Sequence, residues 1–273
     1  MCGRYVMARA TSDLVALGDA ETNEELVLRQ SWNVAPTAEV PILVAHADDG
    51  GAGVTRRIHV ARWGLVPPWA KELSVGSRAF NARSETVASK PTFRAAVRAR
   101  RCAVPVEGYY EWKTPEPGAK GPDGRAAKKQ PYYVHPAGAG DGEGPVIWFA
   151  GLYEWWQDPE AKAAGEDAWV LSTTILTMAA PDADDDEPVL AALGQLHDRL
   201  PVPMDAETMD RWLAPDTLGS AEEADALVGQ VCAGAYDVAA GWSLRPVGSA
   251  VGNVRNNGPE LTQEMGEQQG TLL

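Results

Sequence analysis

Short β-prone runs recur along the whole length of this chain, with helical patterns set between and after them rather than gathered into a separate block. Residues 40–45, 57–63, 102–112, 132–134, 146–153 and 169–174 are dense in β-branched, Leu and aromatic side chains and are predicted strands. Helices are predicted over 12–17 with Ser12 as cap, over 92–100 after Pro91, over 206–213 capped by Asp205, and over 221–231 capped by Ser220. Pro67 and Pro68 lack backbone donors, so residues 63–69 leave the sheet as an ordered loop that displays Trp63 and Trp69. Gly-, Pro- and charge-rich stretches at 115–129, 137–144 and 158–167 read as surface loops, as does 181–188 with five acids in eight residues. Strands scattered in this way imply an α+β fold: one domain over 1–273, built on a curved, barrel-like mixed sheet flanked by helices, and not a doubly wound parallel sheet.

A chain of 273 residues buries a sizeable core without a staple. No apolar run reaches the roughly 18–20 residues that span a bilayer, and the first five residues have no signal-peptide pattern. Cys2, Cys102 and Cys232 are sparse and have no CxxC spacing, which excludes a disulfide framework or zinc ribbon and points to the cytoplasm. The net charge of −14 argues against a polyanionic partner, yet residues 54–113 carry twelve Lys/Arg against four acids, or +8. That window leaves room for a polyanion to be met locally.

Several residues carry chemical promise. Removal of Met1 makes Cys2 a 1,2-aminothiol, whose α-amine has an ordinary pKa of about 7.7–8.0 and is nucleophilic near neutral pH. The amine attacks an aldehyde to give an imine, and the thiol closes a five-membered thiazolidine that no internal cysteine can form. Asn81, in Asn81-Ala82-Arg83-Ser84, can donate and accept, and Ser84 is placed to cap a following helix. In a continuous strand, period 2 puts Glu107 and Glu111 on one face, and either carboxyl, buried beside aromatic rings, can act as a general acid. His197 has no His or Cys at i+3 or i+4 to suggest a metal; His46, His59 and His135 have no sequence companions, and Cys102 and Cys232 read as packing residues.

Six motifs stand in one order: Met1-Cys2-Gly3-Arg4, Trp32-Asn33-Val34-Ala35-Pro36-Thr37, Trp63-Gly64-Leu65-Val66-Pro67, Asn81-Ala82-Arg83-Ser84-Glu85-Thr86, Gly108-Tyr109-Tyr110-Glu111-Trp112 and His197-Asp198-Arg199-Leu200-Pro201. Together they resemble the SOS response-associated peptidase (SRAP) family of abasic-site processing proteins, with a weaker echo at 251–259. The resemblance implies a single barrel-like α+β domain, no metal or organic cofactor, and a monomer acting in the cytoplasm, nucleoid-associated when bound to single-stranded DNA containing abasic sites. It implies that Cys2 crosslinks to the lesion with Asn81, Glu111 and His197 as active-site partners, and that Arg4, Trp69, Arg83, Trp112 and Arg199 contact DNA. Weak lyase activity and self-removal of Met1 are implied as well. Leu200 in place of Met, Glu107 where Asp is more common, and the insertions at 115–129 and 181–188 depart from the family pattern. An N-terminal-nucleophile amidohydrolase and a non-catalytic single-strand binder stacking bases on Trp63, Trp69 and Trp112 are the alternatives.

Overall fold

The most apolar runs of the sequence become long strands that pair with one another and close. A computed structural model describes residues 2–22, 26–48, 53–121, 123–138 and 144–265. Its strands are β1 (Tyr5–Met7), β2 (Ser31–Val34), β3 (Glu39–Ala47), β4 (Val54–Trp63), β5 (Asn81–Arg83), β6 (Arg101–Val106) and β7 (Gly108–Lys113). They continue as β8 (Gln130–Pro136), β9 (Ile147–Gln157), β10 (Trp169–Ala179), β11 (Arg199–Pro201), β12 (Pro203–Met204) and β13 (Trp242–Pro246). Strands β10, β4, β3, β6 and β9 form a closed five-stranded barrel, antiparallel except at β10–β4. Short strands β5 and β11 extend β10, and β12 extends β9. A second, antiparallel sheet runs β13-β8-β7-β1-β2. The helices are α1 (Thr11–Leu17), α2 (Arg94–Ala99), α3 (Pro159–Ala164), α4 (Pro188–Leu196), α5 (Ala206–Leu213), α6 (Ala221–Ala233) and α7 (Ala235–Ala240). The barrel-like α+β architecture read from the sequence is what forms.

Local expectations fare unevenly. Asp205 and Ser220 do cap α5 and α6, accepting from Thr208 N at 2.7 Å and Glu223 N at 3.2 Å. Ser12 does not cap α1, which starts one residue earlier behind Ala10; Ser84 opens a 3-10 turn instead of capping a helix. The stretch 158–167 is not simply loop: Asp158 accepts from Glu160 N and Ala161 N, Pro159 fits the first turn, and Gly165 ends α3 in the left-handed region at φ 78°. Residue 122 of the predicted loop 115–129, residues 139–143 of 137–144, and Met1 lie outside the described residues. Among the described residues no helix is long and apolar enough to cross a membrane.

The predicted strand 102–112 is two strands. Glu107 breaks it, so β6 belongs to the barrel and β7 to the second sheet. The crossing is tight: Glu107 N bonds Val6 O at 2.9 Å, and a Cβ on Gly108 would sit 2.6 Å from the Tyr133 ring. Alternation along β1 and β7 then sends Tyr5 and Tyr109 into the main core, and Val6 and Tyr110 into a smaller cluster with Tyr133, Val247 and Val251.

Candidate active site

Cys2 is 1% exposed and packs in the main core. Asn81 holds it from β5, its Nδ2 donating to the Cys2 carbonyl at 2.7 Å. That strand start is pinned from both sides, since Phe80 O accepts from the Trp63 indole at 2.8 Å and from Ile175 N at 3.1 Å. Trp63 in turn lies 5.0 Å from the Tyr5 ring and is fully buried, so it does not project from a loop as predicted and cannot stack a base. Asn81 Oδ1 is buried without a hydrogen-bond partner among the described residues. An orphaned acceptor of this kind costs about 1–3 kcal/mol.

Glu111 reaches the same compartment from β7, where Tyr5 stands directly opposite Tyr109 and period 2 puts Glu111 on Tyr109's side. Its Oε1 accepts the Trp112 N–H at 3.1 Å, and the residue is 5% exposed. Burial raises the Cys2 thiol far above its usual range, and the charge of Glu111 adds to the effect. Burial and then Cys2 push the hydroxyls of Tyr5 and Tyr109 up too, with Glu111 acting further on Tyr109. Cys2, Glu111 and the two tyrosines thus share one low-dielectric chamber. Neither tyrosine was singled out from sequence, although Tyr109 stands two residues before Glu111 on the same strand face.

Glu107 is elsewhere. The break at β6–β7 takes it off the face of Glu111, and its carboxylate accepts Ala8 N at 2.5 Å and pairs with Arg9 at 3.4 Å. His197 follows α4 in extended conformation, its Nδ1 3.0 Å from Arg199 N and 2.7 Å from Asp198 Oδ1. A bare Nδ1 accepts the Arg199 amide; a protonated one donates to Asp198, so both protonation states have a partner at one atom. Since β5 and β11 pair with opposite edges of β10 near Thr177, Asn81 and the His197 turn flank the same end of that strand.

The residues expected on DNA divide. Trp69 is 62% exposed and Arg83 is exposed. Arg199 forms a two-pronged pair with Glu85 at 2.6 and 2.9 Å and also donates to Thr177 O at 2.7 Å. Arg4 donates to Asn33 Oδ1 at 2.9 Å and Val251 O at 2.8 Å, fastening the chain near 251 to β2, while Asn33 Nδ2 holds Val251, Asn253 and Asn256 carbonyls. Trp112 packs into the smaller cluster, on the opposite face of β7 from Glu111, which removes it from the Cys2 side.

Half of the basic window is engaged by other groups of the protein, although Arg57 and its partner Glu21 are exposed. Arg56, Arg57 and Arg100 pair with Asp210, Glu21 and Glu154; Arg62 and Arg98 donate to carbonyls, and buried Arg101 donates to five of them. Lys71, Arg78, Arg83, Lys90, Arg94 and Lys113 are exposed, with no side-chain partner among the described residues. Two histidines do have company: His46 and His59, on neighbouring strands β3 and β4, place their Nε2 atoms 3.2 Å apart. No group of three His, Cys, Asp or Glu among the described residues is arranged to hold a metal ion. Burial pushes the Cys102 thiol up to about 12, as suits a packing residue.

This arrangement can be set beside known proteins. The family model for SOS response associated peptidase (SRAP) matches residues 1–254. The abasic site processing protein YoqW of Bacillus subtilis is 30% identical over 264 residues, 96% of this chain and 99% of the relative. The abasic site processing protein HMCES of Gallus gallus is 28% identical over 252 residues, 85% of this chain and 65% of the relative. A crystal structure of a Bacteroides thetaiotaomicron protein superimposes with TM-score 0.69 at 20% identity, covering 97% of this chain and all of that one, which speaks to the fold. With the fold shared from end to end and the family model running through Cys2, Asn81, Glu111 and His197, the chain belongs to the SRAP family.

Proposed function

We propose that this protein processes abasic sites in single-stranded DNA by forming a covalent thiazolidine through Cys2 once Met1 is removed. The observation that carries the reading is the seat of Cys2 itself. Asn81 grips its carbonyl through Nδ2, and the second face of that amide, Oδ1, is the buried acceptor available to the α-amine. Relatives over nearly the full chain bear the name of abasic site processing proteins.

In this mechanism Glu111 protonates the ring oxygen of the closed abasic sugar, opening it to the aldehyde. The Cys2 amine attacks C1′, water leaves, and an imine forms; the thiol then adds across C=N, its proton passing to nitrogen, so the adduct is one water lighter than its parts. His197 moves protons or holds the freed 4′-oxygen. Loss of a C2′ proton from an imine that closes slowly breaks the strand, the weak lyase side reaction. Removal of Met1 by the same site accounts for a peptidase activity.

Arg83 and Trp69, both exposed, supply the phosphate and base contacts, and Arg199 is held in place by Glu85. The reading is tested by mixing the protein with abasic single-stranded DNA, with the same strand carrying a tetrahydrofuran in place of the lesion, and with glutamine. A denaturant-resistant complex with the aldehyde-bearing strand alone supports it. Glutamine hydrolysis without a complex would assign the chain to the amidohydrolases, and equal, dissociable binding to both strands would make it a plain binder.

A further inference from the structure

The face of β1 and β7 turned away from Cys2 carries a second site. A cavity of about 340 Å³ lies there, lined by Arg9, Trp32, Glu107, Tyr133, His135 and Arg245 among others. At about 30 Å³ per small heavy-atom group it admits on the order of ten non-hydrogen atoms, the size of a small metabolite.

Its charges balance in number, Arg9 and Arg245 against Glu107 and Asp13, but are not all paired. Arg9 and Glu107 neutralise one another at 3.4 Å, and Arg9 also donates to Gly144 O. Asp13, on the rim, is exposed and accepts the Ser12 hydroxyl at 3.4 Å. Among the described residues Arg245 pairs with no carboxylate and its buried Nε has no hydrogen-bond partner; its guanidinium lies over the Tyr133 ring at 5.4 Å. A guanidinium so placed leaves planar, two-pronged donors toward an anion. The walls are flat and aromatic. Tyr133 stacks on His135 with ring centres 5.0 Å apart and planes at 20°, and His135, 6% exposed, lies opposite Ser243 two residues before Arg245 on β13. His135 Nδ1–H donates to Pro136 O at 2.8 Å, and burial holds the ring below its ordinary pKa, so the imidazole adds no second positive charge.

We propose that this cavity binds a small planar monocarboxylate, its carboxylate on Arg245 and its unsaturated body against the Trp32 ring. Arg245 is the lining guanidinium with no ion pair among the described residues, and one negative charge suits it; a phosphate dianion would set a second charge beside Glu107 and Asp13. The site is separate from the Cys2 chemistry and does not rest on it.

The full chain is titrated by calorimetry with benzoate, with its neutral isostere benzamide, and with inorganic phosphate. Benzoate is expected to saturate with an affinity about tenfold or more above benzamide, and phosphate to bind more weakly than benzoate. Arg245→Gln, folded by circular dichroism and crosslinking abasic DNA at the parental rate, should erase the preference for benzoate. Thr262→Trp, which fills the rim and leaves Arg245 in place, should block binding altogether. Absence of saturation by benzoate, equal binding of benzamide, tighter binding of phosphate, or undiminished benzoate affinity in Arg245→Gln would each overturn the proposal.

Discussion

At the scale of single residues, the instructive pair is Glu107 and Glu111. Sequence periodicity could not part them, because alternation only discriminates along one unbroken strand, and the break lies at Glu107 itself. The chain crosses there from barrel to second sheet, an event set by partners about a hundred residues away, Val6 and Ala8, that no local window contains. Cys2 was named for its aminothiol chemistry and Asn81 by the family resemblance, and the two are in contact; Tyr5 and Tyr109 were not named, since a buried tyrosine is an ordinary core residue until its neighbour is known. Glu111→Gln keeps the shape but cannot supply a proton, so crosslinking to closed-ring abasic DNA should slow by about 10²–10⁴, with far less loss toward an aldehyde that needs no ring opening. Glu107→Gln should leave the crosslinking rate near parental and lower thermal stability, because Arg9 then loses its partner in a largely buried pair. Single-turnover gels with both substrates check the first outcome and thermal melts the second.

Among the elements, β10 is the organiser: it closes the barrel against β4 and β9 and carries β5 and β11 beyond them. The long strands and the two capped helices were readable from apolar pattern and cap chemistry. Strands of two to four residues such as β5, β11 and β12 were not, because so short a segment holds no period and exists only through its partner. Glu85 and Arg199 tie β5's following turn to β11, and this pair holds the Glu85 carboxyl below its ordinary value. Glu85 is half exposed, so the coupling in a Glu85→Ala/Arg199→Ala cycle should be no more than about 1 kcal/mol at neutral pH. A depressed carboxylate pKa stabilises above the unfolded value and the contribution fades as pH falls through the folded one, so the coupling energy should fall toward zero in acid below the ordinary glutamate value of 4.5. Coupling that persisted unchanged in acid would show that the pair is not ionic.

For the whole molecule, charge is the property most distorted by counting. The sequence window of +8 predicts a basic surface, yet half of its cations serve the fold. Arg101 is the clearest case, since a guanidinium donating to five carbonyls is a structural fastener that composition cannot tell from a phosphate contact. DNA affinity should accordingly follow the exposed set. Arg83→Ala should reduce the log–log salt slope of single-strand binding by about 0.7, whereas replacing Lys113 at the far end of β7 tests how wide the footprint is. Fluorescence anisotropy across a salt series measures both. A barrel-like sheet was legible in the sequence, but not which strands close it, because closure depends on the pairing of β10 with β9 and β4 at large separations.

The central claim, that an aminothiol at Cys2 seals an abasic aldehyde into a ring, is tested most directly by intact mass. Parent protein and Cys2→Ala are incubated with abasic single-stranded DNA, and each product is weighed before and after borohydride. The expected parent product lacks Met1, weighs one water less than protein plus DNA, and is unchanged by borohydride, while Cys2→Ala gives no adduct. An adduct on protein that retains Met1, or one formed equally well by Cys2→Ala, would contradict it.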